Sequence, residues 1–189
     1  TSDGLKGVEV NLPYASVGAT ENTLLAAVLA EGKTVIENAA REPEIVDIVD
    51  MLTKMGANIS GAGTSEIIIE GVERLKPTNH EVIGDRVAAG TFLAAIFSTR
   101  GSGKVKGINP EHLPMEIKKL KEMGAIIDLK ENSISIEYDE GINSIELATL
   151  PFPGVATDLQ PIFGSALLQA EGTSILTENV YDQRFQWIP

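Results

Sequence analysis

The spacing of apolar residues alternates between two periods, which predicts helices and strands in regular succession. Five apolar residues recur at the i, i+3, i+4, i+7 spacing of an amphipathic helix: Ile45, Ile48, Val49, Leu52 and Met55. Pro43 precedes them, at a position that favours the start of a helix. Residues 57–60 (ANIS) and 65–71 (SEIIIEG) then predict two strands, joined by a turn around Gly61 and Gly63.

Earlier residues predict the elements that come before this helix. Residues 8–12 (VEVNL) favour a strand, and Ser16 can cap a helix that runs to Gly32, the glycine expected at its C-terminal end. Residues 34–38 (TVIEN) predict a further strand. The elements together form one βαβαββ unit.

This unit is repeated along the chain. Residues 45–56 (IVDIVDMLTKMG) match residues 113–124 (LPMEIKKLKEMG), with corresponding positions 68 residues apart (45 to 113). Gly32, Gly101 and Gly172 close three related segments, at spacings of 69 and 71 residues. A fixed period indicates a repeated structural unit, and this one mixes helices with strands and is too long for a solenoid. We therefore expect an α/β (α+β) enzyme built by duplication of one unit.

The repeat also predicts where the later units lie. The second begins near residues 80–86 (HEVIGDR) and follows the same plan through 133–140 (SISIEYDE). The third has a strand at 144–150, a helix at 158–171 and a strand at 174–179. It breaks off at Pro189, where its second helix should begin, so we expect the chain to be a piece of a larger protein.

Composition narrows the classes of partner. The chain has 189 residues, 43% of them hydrophobic, and a formal net charge of −12. This charge argues against nucleic acid and anionic membranes as partners, because both recruit an excess of Lys and Arg. The absence of cysteine fits a cytoplasmic protein. No apolar run reaches the roughly 18–20 residues that a transmembrane helix needs.

Three helix starts at equivalent places suggest an anion site. They lie at residues 16–20, 84–91 and 156–160. If the units are related by pseudosymmetry, these N-termini face a common region and their N–H groups can bind phosphate. Taken one by one, Ser16, Asp85 and Thr157 are equally consistent with ordinary helix caps.

Asp158 is the strongest candidate for catalysis, since it is a carboxylate at a helix start within an apolar, proline-rich stretch. It could act as a general base on a sugar or alcohol hydroxyl, or simply be an acid favoured by the helix dipole. His80 and His112 have no Cys or carboxylate at metal-ligand spacing, so we expect no metal site. The chain also lacks a Walker loop and a GxGxxG motif, and we expect no cofactor.

Three segments carry a resemblance to a known family. Residues 16–47 (SVGATENTLL…NAAREPEIVD), 84–101 (GDRVAAGTFLAAIFSTRG) and 152–185 (FPGVATDLQ…ENVYDQRF) resemble the UDP-N-acetylglucosamine enolpyruvyl (1-carboxyvinyl) transferase family. The resemblance implies the inside-out α/β barrel fold, with two domains of three βαβαββ units each. Residues 1–84 would be the last unit of one domain, and 85–189 about one and a half units of the other.

The same resemblance implies an activity and a set of site residues. The reaction moves enolpyruvyl from phosphoenolpyruvate to the 3-hydroxyl of UDP-N-acetylglucosamine, the first committed step of peptidoglycan synthesis. Asp158 corresponds to the proposed base and Arg184 to an active-site arginine. Further correspondences are nucleotide-sugar contacts at Tyr14, Ala15, Ser16, Val17, Gly18 and Val180, and polar cleft residues at Glu42, Asp85 and Arg86. Tyr14 stands where the family often has Lys.

Two alternatives remain open at this point. The chain could be a non-catalytic module that binds nucleotide sugar or self-associates, with helix residues such as Ile162, Phe163 and Leu167 exposed for want of neighbouring units. It could also belong to another enolpyruvyl transferase, such as the shikimate-pathway enzyme. Under the leading interpretation this chain alone is inactive, because most phosphate-binding cations of the family lie outside it.

Overall fold

The computed structural model describes residues 4–188, which form two compact units, one ending at Val82 and the other beginning at Ile83. Both units combine helices with β-sheet, so the predicted α/β class is confirmed. Residues 1–3 lie outside the described residues, as does Pro189, where we expected the third repeat to break off.

The first unit has the predicted βαβαββ order. Its elements are β1 (Glu9–Asn11), α1 (Val17–Ala27), β2 (Lys33–Glu37), α2 (Pro43–Lys54), β3 (Asn58–Ser60) and β4 (Glu66–Glu70). They form a four-stranded sheet in the order β1-β2-β4-β3. The pair β1–β2 is parallel, while β4 runs antiparallel to both β2 and β3.

Alternation within β4 shows how this sheet builds its core. Ile67 and Ile69 are fully buried, whereas Glu66 and Glu70 on the opposite face are exposed. The buried face packs with the apolar stripe of α2, including Ile45. Each fully buried isoleucine contributes about 1.5–3 kcal/mol relative to an exposed one, so this contact fixes α2 on the sheet.

The second unit holds the later repeats. It contains α3 (Arg86–Ser98), β5 (Ser102–Lys106), α4 (Pro114–Glu122), β6 (Ile126–Lys130), β7 (Ser133–Glu137), β8 (Glu146–Ala148), α5 (Gln160–Leu167) and β9 (Ile175–Thr177). An antiparallel sheet has the order β5-β7-β6, and β8 pairs in parallel with β9 as β1 does with β2. None of the helices within residues 4–188 is long and apolar enough to cross a membrane.

The second repeat was expected to begin near residues 80–86; no strand forms over these residues, and α3 begins at Arg86. His80 is turned back towards α2 instead. Its side chain is 5% exposed, and its Nε2 lies 3.0 Å from Oδ1 of Asp47. This contact holds the end of the first unit against α2.

Two predicted helix ends also differ from the structure. The helix α1 ends at Ala27 rather than at Gly32, because a turn fills residues 28–30 before Gly32 adopts a φ of 90°. The helix predicted over residues 158–171 is shorter, and a 3₁₀ helix at Thr157–Leu159 precedes α5. Proline at position 161 fits the first turn of α5.

The expectation that Phe163 would be exposed is wrong. Phe163 is fully buried, because α5 packs against α3 and the 3₁₀ helix Thr157–Leu159. Ile162 and Leu167 are partly buried against the same core. Gly90 permits the close contact, since a Cβ at this position would lie 2.7 Å from Cδ1 of the buried Leu159.

A buried carboxylate secures the loop before this 3₁₀ helix. Glu116, in the first turn of α4, is 1% exposed, and its Oε1 accepts a hydrogen bond from the N–H of Ala156 at 3.1 Å. Burial raises the pKa of Glu116, while backbone hydrogen bonds and the positive charge of Arg86 oppose the rise. The loop is therefore tied to α4 by a carboxyl group whose ionisation is disfavoured.

The contact at Gly90 predicts an unusual response to alanine. We expect Gly90→Ala to lower the free energy of unfolding by about 1 kcal/mol, because overpacking costs about 1–3 kcal/mol and the gain in helix propensity is about 1 kcal/mol. Urea unfolding measures the change. The control is Gly18→Ala in α1, where nothing lies within 4 Å of an added Cβ. Equal or higher stability of Gly90→Ala relative to the control would contradict the overpacking argument.

The raised pKa of Glu116 predicts a pH-dependent effect of Glu116→Gln. The folded chain binds this proton more tightly than the unfolded chain, whose carboxyl has the ordinary value of 4.5. Wild-type stability from this group is therefore lost as pH rises above 4.5 towards the folded pKa. Glu116→Gln avoids that loss, so its stability relative to wild type should improve as pH rises above 4.5.

Urea unfolding at several pH values checks this expectation. The exposed Glu111→Gln controls for the removal of one negative charge. A relative stability of Glu116→Gln that stays constant, or that falls as pH rises, would show that desolvation does not dominate at this carboxyl group.

Candidate functional site

The second unit brings Asp158 and Arg184 together, a contact that their spacing in the sequence could not show. Nη2 of Arg184 donates a hydrogen bond to Oδ1 of Asp158 at 2.8 Å. The Asp158 side chain is 60% exposed and that of Arg184 is 28% exposed. The apolar stretch before Asp158 thus does not exclude water in this chain. Among residues 4–188, Oδ2 of Asp158 accepts no hydrogen bond from a protein donor, so it can receive a hydroxyl group.

Residues on either side hold Asp158 in place. Leu159 is fully buried against α3 at Gly90, and Ala156 is bonded to Glu116. The carboxylate lies between these two anchors, in the first turn of the 3₁₀ helix. An exposed side chain on an anchored backbone can meet a ligand without loss of its position.

Arg184 is held from the other side. It begins the 3₁₀ helix Arg184–Trp187, whose Trp187 donates from Nε1 to Oε1 of the buried Gln160 at 3.0 Å. The Trp187 ring also rests on Gly164, where an added Cβ would lie 2.8 Å from the ring. The Arg184 guanidinium carbon is 5.0 Å from the centre of the Tyr181 ring, a cation–π distance.

Glu178 organises the residues between these two groups. Its Oε1 accepts four hydrogen bonds, from the hydroxyls of Thr149 (2.7 Å) and Thr157 (3.0 Å) and the N–H groups of Val180 (2.8 Å) and Tyr181 (2.9 Å). Burial alone would raise the pKa of Glu178, but these bonds together hold it below its ordinary range. Glu178 is therefore an anion under ordinary conditions.

Sequence reasoning missed Glu178, although a signal existed. A Glu-Asn pair ends both residues 34–38 (TVIEN) and residues 174–179 (SILTEN). In the first repeat, Nδ2 of Asn38 donates to the carbonyl of Leu12 at 2.9 Å; in the third, Nδ2 of Asn179 donates to that of Thr149 at 3.2 Å. The pair marks a recurring junction between two parallel strands.

Asp85 and Arg86 occupy the start of α3 in the same unit. Oδ1 of Asp85 accepts from the N–H groups of Val87 (2.8 Å) and Ala88 (3.0 Å), so its side chain caps the helix. Arg86 is 9% exposed, and its guanidinium carbon is 5.7 Å from the centre of the Phe152 ring. The structure thus supports the cap interpretation for Asp85, while a role of Arg86 towards ligand stays a prediction.

The remaining predicted residues belong to the first unit. Oγ of Ser16 accepts from the N–H of Ala19 at 3.2 Å and caps α1. The buried Thr20 donates to the Ser16 carbonyl (2.8 Å) and accepts from the N–H of Ala40 (3.0 Å). This link joins the helix start to the segment that carries Glu42, which is 6% exposed.

Around Ser16, the predicted ligand residues are open to solvent. Tyr14 is 64% exposed, Gly18 is exposed, and Ala15 and Val17 are partly buried. In the second unit Val180 is 40% exposed. The positions of all these residues are compatible with ligand contact, and their roles stay predictions.

Within residues 4–188, no group of three or more His, Cys, Asp or Glu side chains has the arrangement of a metal site. His80 contacts Asp47 as described above, and the second histidine, His112, is partly buried beside α4. Thr157, the third candidate cap, bonds to Glu178 and not to a helix N–H.

The whole chain matches one protein family. The profile of the EPSP synthase (3-phosphoshikimate 1-carboxyvinyltransferase) family covers residues 1–189. Among curated relatives, UDP-N-acetylglucosamine 1-carboxyvinyltransferase of Nocardia farcinica is 49% identical over 187 residues, covering 99% of this chain and 44% of the relative. The enzyme of that name from Mycobacterium tuberculosis is 47% identical, and the match covers 99% of this chain and 45% of the relative. The chain thus spans less than half the length of these relatives.

Solved structures agree on the fold. The enolpyruvyl transferase NikO of Streptomyces tendae aligns with a TM-score of 0.85 at 23% identity, covering 98% of this chain and 47% of that one. The EPSP synthase of Acinetobacter baumannii aligns with a TM-score of 0.66 at 27% identity, with 92% and 40% covered. The predicted enolpyruvyl transferase fold is confirmed, and the chain belongs to the EPSP synthase family of 1-carboxyvinyltransferases.

Proposed function

We propose that the full-length protein transfers enolpyruvyl from phosphoenolpyruvate to the 3-hydroxyl of UDP-N-acetylglucosamine, with release of phosphate. Relatives named for this reaction are nearly half identical over this chain, which favours it over the shikimate-pathway reaction. The observation that carries the proposal is the Asp158–Arg184 pair, an exposed carboxylate with an anchored backbone and one oxygen open to a hydroxyl. The product would enter peptidoglycan synthesis in the cytoplasm.

In this proposal Asp158 is the general base. Arg184 holds Oδ1, and Oδ2 accepts the proton of the sugar 3-hydroxyl as its oxygen adds to C2 of phosphoenolpyruvate. The methylene carbon gains a proton in this addition, and elimination of phosphate with loss of a methyl proton then restores the double bond. The Arg184 guanidinium restricts rotation of the Asp158 carboxylate, so Oδ2 keeps one direction.

Further substrate contacts are proposed residue by residue from the family resemblance. We assign nucleotide-sugar contacts to the Tyr14–Gly18 segment and Val180, and cleft positions to Glu42, Asp85 and Arg86. Residues 1–84 would form the last βαβαββ unit of one domain, and 85–189 about one and a half units of the other. The partial coverage of the relatives supports this assignment.

Exposed apolar side chains favour one further property, self-association of the chain by itself. Leu25 and Leu29 on one side of the α1 region are 51% and 57% exposed, Phe92 on α3 is 62% exposed, and Leu168 after α5 is 79% exposed. Apolar surface of this kind promotes association between molecules.

Replacing Asp158 tests the proposed function. In the full-length protein, Asp158→Asn keeps the size of the side chain but removes its basicity, so kcat should fall by about 10²–10⁴-fold. Phosphate release with both substrates measures it. Asp139→Asn, an exposed position in the second unit, is the control.

A kcat of Asp158→Asn within about threefold of wild type would refute the base assignment. Absence of turnover in the wild-type full-length protein would refute the proposed reaction itself. The 189-residue chain alone should release no phosphate, because transition-state charge requires fixed cations that it lacks under this proposal.

Light scattering tests self-association. The chain alone should show a mass above that of a monomer that rises with concentration, and Leu25→Lys should reduce it. Ala26→Lys, an exposed position on the same helix, controls for the single added charge. A monomer mass for the wild-type chain at every concentration would contradict the expectation.

A further inference from the structure

Four side chains of the second unit form a continuous hydrogen-bonded chain that ends at Asp158. Oε1 of Glu178 accepts from the Thr157 hydroxyl at 3.0 Å. The same hydroxyl oxygen accepts from Nε of Arg184 at 3.2 Å, and Nη2 of Arg184 donates to Oδ1 of Asp158 at 2.8 Å. The order is Glu178, Thr157, Arg184, Asp158.

Donor and acceptor roles in this chain are uniquely determined. Thr157 has one hydroxyl hydrogen, and Glu178 as an anion can only accept it. The hydroxyl lone pairs then face the guanidinium, which can only donate. Glu178 therefore decides which way the Thr157 hydroxyl points, and that direction places a good acceptor in front of Arg184.

We propose that Glu178 is a positioning residue of the transferase, which acts through Thr157 to hold Arg184 in the orientation that presents Asp158 to the sugar hydroxyl. Glu178 does not touch the reacting atoms in this arrangement. The inference rests on the proposed function, since it gives Asp158 and Arg184 their roles in the reaction.

The surroundings of Glu178 suit a fixed anion. Its Oε1 receives two N–H groups and two hydroxyls, and the N–H donors come from the loop that leads to Arg184. Its Oε2 is buried without a hydrogen-bond partner among the described residues. The side chain thus ties β9, the Thr157 turn and the Arg184 loop to a single oxygen.

A neutral amide cannot replace this carboxylate without loss. In Glu178→Gln the bonds to Oε1 lose their charge assistance, which roughly halves their strength. The amide NH₂ would also occupy the place of Oε2, where no acceptor is available. The Thr157 hydroxyl is then free to turn, and Arg184 loses a directed acceptor.

Matched threonine variants of the full-length protein separate positioning from stability. Thr157→Val removes the relay hydroxyl with little change of shape, and Thr157→Ser retains it. Thr149→Val removes a different hydroxyl that also donates to Glu178 but has no bond to Arg184. Both valine variants should lower the melting temperature.

The first readout does not depend on activity. In protein with ¹⁵N-labelled arginine, the Arg184 Nε–H signal is assigned by its disappearance in Arg184→Lys. We expect its exchange with solvent to rise about tenfold in Thr157→Val and Glu178→Gln, the equivalent of one hydrogen bond. Thr157→Ser and Thr149→Val should keep the wild-type exchange rate.

The second readout is the kinetics with both substrates. Thr157→Val and Glu178→Gln should each lower kcat by about ten- to a hundredfold, the usual effect of a misplaced catalytic group, with a smaller change in KM. Thr157→Ser should restore kcat. A double variant that combines Thr157→Val with Glu178→Gln should have a kcat no lower than that of the slower single variant, because both changes break the same hydrogen-bonded chain. The exposed Glu171→Gln is the control.

Specific results would overturn the inference. An unchanged solvent exchange rate of the Arg184 Nε–H in Thr157→Val would do so. So would a loss of kcat in Thr157→Val that is also seen in Thr157→Ser, or additive losses of kcat when Thr157→Val and Glu178→Gln are combined. Should wild type show no turnover with these substrates, the proposed reaction is wrong, while the exchange measurement still decides whether Glu178 positions Arg184 through Thr157.

Discussion

Burial of one face of each sheet against helices is the interaction on which both units depend. In β4 the buried residues are Ile67 and Ile69, and in β7 they are Ile134 and Ile136, all at most 1% exposed. Strand alternation places each pair on one face, where helices of the same unit cover it. This packing fixes the positions of the helices. The polar backbone groups of the loops at the helix ends must then find hydrogen-bond partners without moving the helices.

In the second unit, two carboxyl groups, those of Glu116 and Glu178, accept hydrogen bonds from such loops, and their pKa values are shifted in opposite directions. Glu116 is buried with its ionisation disfavoured, and it receives a single loop N–H. Glu178 gathers four donors, and its ionisation is favoured. A buried polar group without a partner costs about 1–3 kcal/mol, so each acid secures a segment of loop that apolar packing cannot hold. Asp158 lies between the segments they secure.

The sequence predicted what depends on local periodicity. Helix α2 begins at Pro43 as expected, and β3 and β4 lie within the predicted segments, because apolar spacing and turn glycines act within a few residues. No strand forms at residues 80–86, where the second repeat was expected to begin, and the contact of His80 with Asp47, 33 residues away, is not visible in any local pattern. The burial of Phe163 was missed since it depends on α3, far away in sequence.

The residues of the candidate site also fall into those that the sequence identified and those that only the structure shows. Resemblance identified Asp158 and Arg184, and the structure shows them in contact. No local pattern could reveal Glu116 or Gly90 as supports, because their partners lie 40 and 69 residues away. The repeated Glu-Asn pair marks a strand junction at Glu178, but it does not show the contact of Glu178 with Thr157, 21 residues away. Periodicity describes which face of an element is buried, whereas support of a loop depends on where folded elements meet.

Asp158 must be open to substrate and yet held in one position, and support from residues that lie behind Arg184 meets both requirements. A base that acts on a substrate must be reachable, and Asp158 is 60% exposed. Exposed ion pairs are weakly held, typically by about 0–1 kcal/mol, so contact with Arg184 alone would leave the carboxylate mobile. Anchoring Arg184 through the partly buried Thr157 and Glu178 restricts that motion without covering Asp158. The hydrogen bonds to Oε1 of Glu178 thus supply order that the exposed pair cannot supply for itself.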